Sequence, residues 1–244
     1  MIKKIRFKNI SFNNFDKIKF KGIIKKKGYY TFPSGPGIAS INASKEYYNS
    51  LRKANYVFFD SGFFVLLLRI FKNVKVSKFS GYKFLFLFFD FLKLNKNKSV
   101  FCIDPNSNYS KSNTKFLKKL GLKRIYSYVA PKYNPKNLSD QKLIKQINKI
   151  KPDFVLTNIG GGIQEILAYE LHKKLKRKTI ILCTGGAISF FTGDQAPINS
   201  IIDKFYLGWL LRLFFNPFIF AKRYFYALKL IPMVLFNTVK TINE

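Results

Sequence analysis

An apolar run, Asp153-Phe154-Val155-Leu156-Thr157-Asn158, is followed by the turn Gly160-Gly161-Gly162 and by a helix-like segment from Gln164 to Leu175. A buried strand that passes through a tight turn into a helix is the repeating unit of a parallel α/β sheet. Three further apolar runs end in similar turns; they are Tyr56-Val57-Phe58-Phe59 before Asp60, Val100-Phe101-Cys102-Ile103 before Asp104, and Thr179-Ile180-Ile181-Leu182-Cys183 before Thr184-Gly185-Gly186. With helix-like segments between the runs, the pattern predicts an α/β fold, a Rossmann-like parallel sheet flanked by helices.

The carboxyl ends of the predicted strands are where ligands bind in such sheets. We therefore expect the chemistry to gather at Asp60, Asp104, residues 160–164 and residues 185–193. Glycines at a strand–helix turn let a phosphate or sugar approach the backbone, and the helix N-terminus offers N–H groups to an anion. The same glycines also occur in ordinary tight turns, so each turn alone is a weak indication.

Asp60 is the candidate general base, because acids are scarce in this chain and this one ends a strongly apolar strand. A carboxylate at this position is either a turn cap or a base in the cleft, and position alone leaves both interpretations open. Asp104 occupies a similar place, but the sequence Asp104-Pro105-Asn106-Ser107 is more typical of a plain turn.

The composition is strongly basic, with 44 Lys and Arg against 12 Asp and Glu and a formal net charge of +32. Such a surface attracts polyanions, either nucleic acid or an anionic membrane leaflet, and the 28 Phe favour the membrane. His172 is the single histidine, and Cys102 and Cys183 lie far apart in apolar runs. These residues predict no metal site, no cofactor and a reducing, cytoplasmic compartment.

Three regions follow from these patterns: a basic, turn-rich segment at residues 1–37, an α/β domain at residues 38–200 and an apolar appendage at residues 201–244. The appendage is interrupted by Pro217 and Pro232, and its apolar pieces are shorter than a membrane span. We expect helices that lie in the membrane interface with basic residues toward lipid phosphates. A buried pair of apolar helices is the alternative, because periodicity does not separate the two.

The order and spacing of several short elements resemble the WecG/TagA/CpsF family of bacterial glycosyltransferases, from about Gly37 to Tyr224. The amino-terminal matches are Ser40-Ile41-Asn42 for the family's Thr-x-Asn, Asp60-Ser61-Gly62 for the strand ending in Asp-Gly, and Lys78-Phe79-Ser80-Gly81 for Arg-x-x-Gly. The later matches are Gly160-Gly161-Gly162-Ile163-Gln164-Glu165, the stretch from Gly185-Gly186 to Gln195-Ala196-Pro197, and Gly208-Trp209, Arg212-Leu213, Pro217 and Arg223-Tyr224. The chain departs from the family's residues at Ser40 (Thr), Lys78 (Arg), Gly162-Ile163 (Pro-Lys), Ser189 (Asp), Gln195 (Arg) and Gly208 (Glu).

The resemblance implies inverting, metal-independent transfer of a hexosamine-type sugar from a nucleotide diphosphate, UDP-linked, to a polyprenyl-diphosphate-linked acceptor in cell-surface polysaccharide synthesis. It implies Asp60 as the catalytic base, and Ser40, Asn42, Lys78, Gly160, Gly161, Gln164, Gly185, Gly186, Gln195, Arg212 and Arg223 as substrate-binding residues. The enzyme is expected on the inner face of the cell membrane, and its oligomeric state is open. Two other classes remain: a non-catalytic membrane-bound partner in glycan assembly, and a nucleic-acid-binding protein, although no nucleic-acid module is recognisable.

Overall fold

A computed structural model describes residues 4–15, 17–195 and 217–242 of the chain. Nine strands form one sheet in these residues: β1 (Lys4–Phe7), β2 (Ile10–Asn13), β3 (Gly28–Thr31), β4 (Tyr56–Phe58), β5 (Ser99–Asp104), β6 (Arg124–Val129), β7 (Phe154–Thr157), β8 (Ile180–Cys183) and β9 (Val239–Ile242). The helices are α1 (Phe20–Ile23), α2 (Gly35–Ala39), α3 (Lys45–Arg52), α4 (Gly62–Lys72), α5 (Gly81–Leu94), α6 (Ser107–Lys119), α7 (Gln141–Ile150), α8 (Ile163–Lys174), α9 (Ser189–Thr192), α10 (Pro217–Ala227) and α11 (Leu230–Phe236).

The strand order across the sheet is β6-β5-β7-β8-β3-β4-β2-β1-β9. Every neighbouring pair from β6 to β2 is parallel, and only β1 runs antiparallel to its two neighbours. The predicted α/β class and parallel sheet are confirmed. The carboxyl ends of β5, β7, β8, β3 and β4 therefore lie side by side along one edge.

The described residues between Lys4 and Gly37 supply β1, β2 and β3 of this sheet. Strand β3 lies between β8 and β4, and all four of its residues are buried. Composition alone set this region apart, because its strands are only four residues long and are separated by lysine-rich turns. The strands β6 and β9 were also not predicted from the sequence.

Helices cover both faces of the sheet, and the strand side chains alternate between two apolar layers. On one face the core joins α3, α4, α7, α8 and α11, with Phe101, Val155 and Ile181 from the strands. On the other face it joins α1, α5 and α6, with Cys102, Leu156 and Leu182 from the same strands. This alternation follows from the period of two in a strand, and it defines a three-layer arrangement.

Several helices begin at a side-chain cap close to the carboxyl edge of the sheet. The hydroxyls of Ser34, Ser61 and Ser80 accept hydrogen bonds from backbone N–H groups in the first turns of α2, α4 and α5. A serine cap satisfies an N–H group that has no partner within the helix. The caps therefore fix where each helix starts, and so where the intervening loops lie.

The carboxyl-terminal helices pack on the amino-terminal half of the fold. Helix α10 contacts α2, and α11 contacts α4. Leu230 and Val234 are buried against this core, whereas Phe225 and Phe236 are 78% and 85% exposed. Strand β9 then pairs with β1 and completes the sheet. Within the described ranges, no helix combines the length and apolarity needed to cross a bilayer.

Candidate active site

Asp60 follows β4 and lies at the amino-terminal end of α5. Its Oδ1 accepts a hydrogen bond of 2.9 Å from the backbone N–H of Gly81, the first residue of that helix. The side chain is half-buried. A carboxylate is stabilised at a helix N-terminus by the unpaired N–H groups and by the helix dipole. The Gly81 contact thus holds Asp60 in place at the start of α5.

The loop after β3 approaches Asp60 from the neighbouring strand. A Cβ on Gly35 would lie 2.9 Å from Oγ of Ser61, and one on Gly37 would lie 2.9 Å from the hydroxyl of Tyr47. Both separations are shorter than real Cβ contacts, so a side chain at either position would require Ser61 or Tyr47 to move. Ser40, which ends α2, donates its hydroxyl to the Gly37 carbonyl at 2.8 Å, and Asn42 is exposed.

The turn after β7 is open above its glycines. A Cβ placed on Gly160, Gly161 or Gly162 would meet no atom within 4 Å, and Gly160 and Gly161 are exposed. Gly162 has φ +91°, a conformation that only glycine adopts readily. The backbone here is bare toward solvent and leads into the first turn of α8, as expected for a surface that a phosphate or sugar could approach.

Gln164 is buried and uses all four hydrogen-bonding positions of its amide. Oε1 accepts from the Gly185 N–H at 2.8 Å and from the Thr157 hydroxyl at 3.4 Å. Nε2 donates to Oε1 of Glu165 at 3.0 Å and to the Cys183 carbonyl at 3.2 Å. An amide with two donors and two acceptors is saturated by these contacts. Gln164 therefore holds the turn after β8 against β7.

Gly185 and Gly186 form the turn that Gln164 holds, and Gly185 has φ +55°. Gly186 is exposed, and a Cβ on it would lie 3.4 Å from Nε2 of Gln195. The backbone N–H of Gln195 donates to the Ser189 carbonyl at 3.1 Å. The structure thus brings Gln164, Gly185, Gly186 and Gln195 together at the carboxyl end of β8.

Glu165 is a fully buried acid at this edge that sequence reasoning did not single out. Its Oε2 accepts the N–H of Gly162 at 2.6 Å and so caps α8. Burial raises the pKa of this carboxyl to about 7, against the lowering effect of hydrogen bonds from Gly162 and Gln164, and the negative charge of Asp60 adds to the rise. Its signal in the sequence was the glutamate three residues after a helix-starting glycine, the spacing of a capping box.

Asp104 also proves to be more than a plain turn residue, because it is completely buried. Its Oδ1 accepts hydrogen bonds of 2.7 Å from the amides of both Asn113 and Asn158. Burial raises the pKa of the Asp104 carboxyl, while the side chains of Asn158, Asn113 and Ser110 oppose the rise. Asn113 and Asn158 lie 9 and 54 residues from Asp104 along the chain, so no local sequence motif predicts this cluster of Asp104, Asn113 and Asn158.

The predicted cationic residues are only partly placed. Lys78 is half-buried, two residues before the Ser80 cap of α5. Arg223 is exposed on α10, four residues before Ala227, whose Cβ lies 3.7 Å from the position of a Cβ on Gly35. Residues four apart share one side of a helix, so Arg223 lies on the side of α10 that faces α2. Arg212 lies outside the described residues.

Taken together, the predicted residues occupy one edge. Asp60 follows β4, the loop with Ser40 follows β3, the Gly185 turn follows β8 and the Gly160 turn follows β7, in four adjacent strands. Three strand spacings of about 4.8 Å separate β4 from β7, so the row extends over roughly 14 Å. Asn42 follows α2, Lys78 precedes α5 and Arg223 lies on α10, so these three residues do not belong to the row of strand ends.

A parallel sheet with glycine turns and a positioned carboxylate at its carboxyl edge is typical of enzymes that bind nucleotides there. The chain belongs to the WecG/TagA/CpsF family of glycosyl transferases, whose model matches residues 2–243. It is also 24% identical over 220 residues to the N-acetylglucosaminyldiphosphoundecaprenol N-acetyl-beta-D-mannosaminyltransferase of Bacillus subtilis (strain 168), across 86% of this chain and 82% of that protein. The predicted family is confirmed, and the protein is a glycosyltransferase.

Proposed function

We propose that the enzyme transfers an N-acetylhexosamine from a nucleotide diphosphate to a sugar on a polyprenyl diphosphate, with inversion and without a metal ion. The observation that carries this proposal is the Asp60 carboxylate, held by Gly81 at the same edge as the open glycine turns. The Bacillus subtilis relative is named for transfer of N-acetylmannosamine to N-acetylglucosaminyl diphosphoundecaprenol, which favours this donor and acceptor class.

Asp60 acts as the general base in this reaction. Its carboxylate accepts the proton of the acceptor hydroxyl while the hydroxyl oxygen bonds to the anomeric carbon of the donor. The bond from that carbon to the diphosphate breaks on the opposite face, which inverts the anomeric configuration. General-base assistance of this kind is typically worth ~10²–10⁴-fold in rate.

The departing diphosphate needs positive charge. No group of acids, histidines or cysteines that could hold a metal ion occurs in the described residues. We assign the charge neutralisation to Arg223 and Arg212, assisted by Lys78. The packing of α10 on α2 supports this assignment for Arg223, because α2 begins beside Ser61, the neighbour of Asp60. Guanidinium groups suit this task, since they pair with phosphate oxygens through two parallel hydrogen bonds.

The surface formed by α4, α10 and α11 supports peripheral binding to the inner face of the cytoplasmic membrane. Large apolar side chains are exposed on all three helices and in the turn between the last two, namely Leu66, Ile70, Phe71, Phe225, Leu228, Leu235 and Phe236. Basic residues stand among them, including Arg69, Lys72, Lys222 and Lys229. Exposed apolar side chains with cations at their rim are typical of a surface that enters the lipid headgroup region.

The test of the membrane assignment is binding to vesicles. The protein should bind liposomes that contain anionic lipid, and the affinity should fall as salt rises, because salt screens the attraction. Replacing Phe225 and Phe236 by serine should weaken binding, whereas replacing the exposed Lys96 should not. Stronger binding of the intact protein to duplex DNA than to vesicles would favour the nucleic-acid-binding class instead.

The test of the reaction is a transfer assay with a panel of nucleotide diphosphate sugars and a short-chain prenyl diphosphate N-acetylglucosamine acceptor. We expect transfer from an N-acetylmannosamine donor, an inverted anomeric centre by NMR, and activity that survives EDTA. Loss of activity on chelation, restored by magnesium or manganese, would remove the arginines from their assigned task. A folded protein that turns over none of the donors would support the non-catalytic class.

A further inference from the structure

Four buried side-chain atoms without a hydrogen-bond partner lie at the carboxyl ends of adjacent strands. They are Oδ2 of Asp104, Oδ1 of Asn113, Oδ1 of Asn158 and Oγ1 of Thr184; the fifth such atom in the described residues, Nδ2 of Asn13, lies at the end of β2. Asp104, Asn158 and Thr184 end or directly follow β5, β7 and β8, and Asn113 lies on α6. A buried polar atom left unpaired costs ~1–3 kcal/mol, so a concentration of them at one place requires an explanation.

The free atoms of the Asp104 cluster are all acceptors, and the hydrogen bonds fix this. Both asparagine Nδ2 atoms point at Oδ1 of Asp104, because a carboxylate oxygen accepts and only the amide nitrogen can donate. The two amide oxygens and Oδ2 of Asp104 are thereby left without donors. Ser110 lies close enough to oppose the rise in the pKa of the Asp104 carboxyl, although Oδ2 itself has no hydrogen-bond partner. The cluster presents three acceptors and requires a ligand that donates.

The cluster also lies where the chain connections diverge. After β5 the chain enters α6, which packs on one face of the sheet through Leu117. After the adjacent β7 it enters α8, which packs on the opposite face through Leu167 and Leu171. Such a switch point opens a crevice at the carboxyl ends of the two strands, and ligands of α/β proteins bind in this crevice.

We propose that Asp104, Asn113 and Asn158 bind the ribose hydroxyls of the nucleotide donor. This assignment rests on the proposed function. A vicinal diol supplies two O–H donors to these acceptors, and a carboxylate that binds a ribose hydroxyl is a recurrent feature of nucleotide sites. A uracil ring carries one N–H donor beside two acceptors and matches the cluster less well. A phosphate would be repelled by Asp104.

The position along the edge agrees with the nucleoside end of the donor. Strands β5 and β4 are four places apart in the sheet, so at about 4.8 Å per strand Asp104 and Asp60 are separated by roughly 19 Å. The open turns after β7 and β8 lie between them, where the diphosphate would pass. An extended donor therefore runs from the reacting sugar at Asp60 to the ribose at Asp104.

The experiment compares binding of UDP, 2′-deoxy-UDP and 3′-deoxy-UDP to the full-length protein by calorimetry. The key variant is Asp104→Asn, which keeps Oδ1 as acceptor for both asparagines and replaces only the free Oδ2 by an N–H donor. We expect the wild type to prefer UDP by about tenfold or more over one deoxy analogue, and the variant to lose this preference. Asp153→Asn is the control, because Asp153 bonds to Ser99 at the opposite edge of the sheet.

Equal binding of all three nucleotides by the wild type would overturn the inference. Bound water would then be the donor to the acceptors of the Asp104 cluster. The inference would also be overturned by an Asp104→Asn protein that keeps the UDP preference but changes its selectivity among donors with different sugars, since the hydroxyls would then belong to the transferred sugar. Either result with normal transferase turnover leaves the proposed function intact. Absence of both nucleotide binding and turnover would instead contradict the proposed function.

Discussion

The backbone N–H of Gly81 donates a hydrogen bond of 2.9 Å to Oδ1 of Asp60. This contact joins the end of β4 to the start of α5 and gives the candidate base a fixed position. A Cβ on Gly81 would make ordinary van der Waals contacts with Phe32 and the Thr184 carbonyl at 3.6 to 3.7 Å, so the start of α5 is closely packed. The position of Asp60 therefore depends on backbone packing as well as on its own side chain.

Asp60→Asn should keep this hydrogen bond, since an amide oxygen also accepts, and should lose the proton acceptor. We expect an unchanged melting temperature and a kcat lower by ~10²–10⁴-fold. Steady-state kinetics and thermal denaturation check both. The control is Asp90→Asn, because Asp90 pairs with Lys93 on the surface of α5. Near-normal turnover of folded Asp60→Asn protein would remove Asp60 from the chemistry.

Gly161→Ala should impair donor binding without harming the fold. A Cβ on Gly161 meets no protein atom within 4 Å, so a steric effect can come only from the ligand. We expect a higher KM for the donor and a melting temperature close to that of the wild type. Gly22→Ala is a matched control, because a Cβ on Gly22 is equally unhindered and Gly22 lies on α1. An unaltered KM would show that the donor does not approach this turn.

Gln164→Ala and Asn42→Ala should differ in kind, although the family resemblance assigns both residues to substrate. Gln164 makes four buried hydrogen bonds, and its loss should destabilise the protein by ~2–4 kcal/mol through the unpaired groups it leaves. Asn42 is exposed, so Asn42→Ala should keep stability and raise only KM. Urea denaturation and kinetics measure the two effects. Equal stability of the two variants would contradict the structural role of Gln164.

Glu165 should make stability fall as pH rises. Its pKa is raised to about 7 in the folded protein, so the folded state binds the proton more tightly than the unfolded state does. The free energy of unfolding should therefore decrease from the ordinary glutamate pKa up to about pH 7 and then level off. Glu165→Gln should flatten the profile in that window. A wild-type profile that rises there and is unchanged in the variant would contradict the assignment.

Arg212→Ala and Arg223→Ala should lower turnover even on a water-soluble acceptor, where membrane attachment has no effect. The reason is that each guanidinium is assigned to the diphosphate leaving group. Lys222→Ala is the control, since Lys222 is exposed beside Arg223 on α10. Variants that match the wild type on the soluble acceptor and fail only on liposomes would show that the arginines serve membrane attachment.

The sequence predicted the part of the fold whose signals are local. Each of β4, β5, β7 and β8 is an apolar run that ends at an acid or a glycine turn, and such runs identify buried parallel strands. Strand β3 was not predicted because Gly28-Tyr29-Tyr30-Thr31 follows a run of lysines, and the glycines Gly35 and Gly37 come only after Phe32, Pro33 and Ser34. Its identity as a strand depends on pairing with β8 and β4, which a single sequence does not display.

The residues of the candidate site likewise include some with a local sequence signal and some without one. Asp60 and the glycine turns were found because strand ends are recognisable. The sequence did not predict that the Gln164 amide is fully hydrogen-bonded, because its partners Thr157, Cys183 and Gly185 belong to other elements. The Asp104 cluster was missed for the same reason, and its proline-containing turn suggested exposure. The role of these polar residues depends on hydrogen bonds to residues that are distant along the chain, and a local sequence pattern does not reveal such bonds.

Strand β9 pairs with β1 from Phe7–Val239 to Lys4–Ile242, and it shields the outer edge of the sheet. An uncovered strand edge is a template for pairing with another molecule. Removing β9 together with α10 and α11 would leave β1 bare, and the shortened protein would tend to self-associate in a concentration-dependent manner. Loss of activity on such truncation would then have two causes, aggregation and the removal of the arginines proposed to bind the diphosphate. A deletion of α10 and α11 that keeps β9 paired with β1 would separate the two causes. Strand β9 thus protects the protein from self-association.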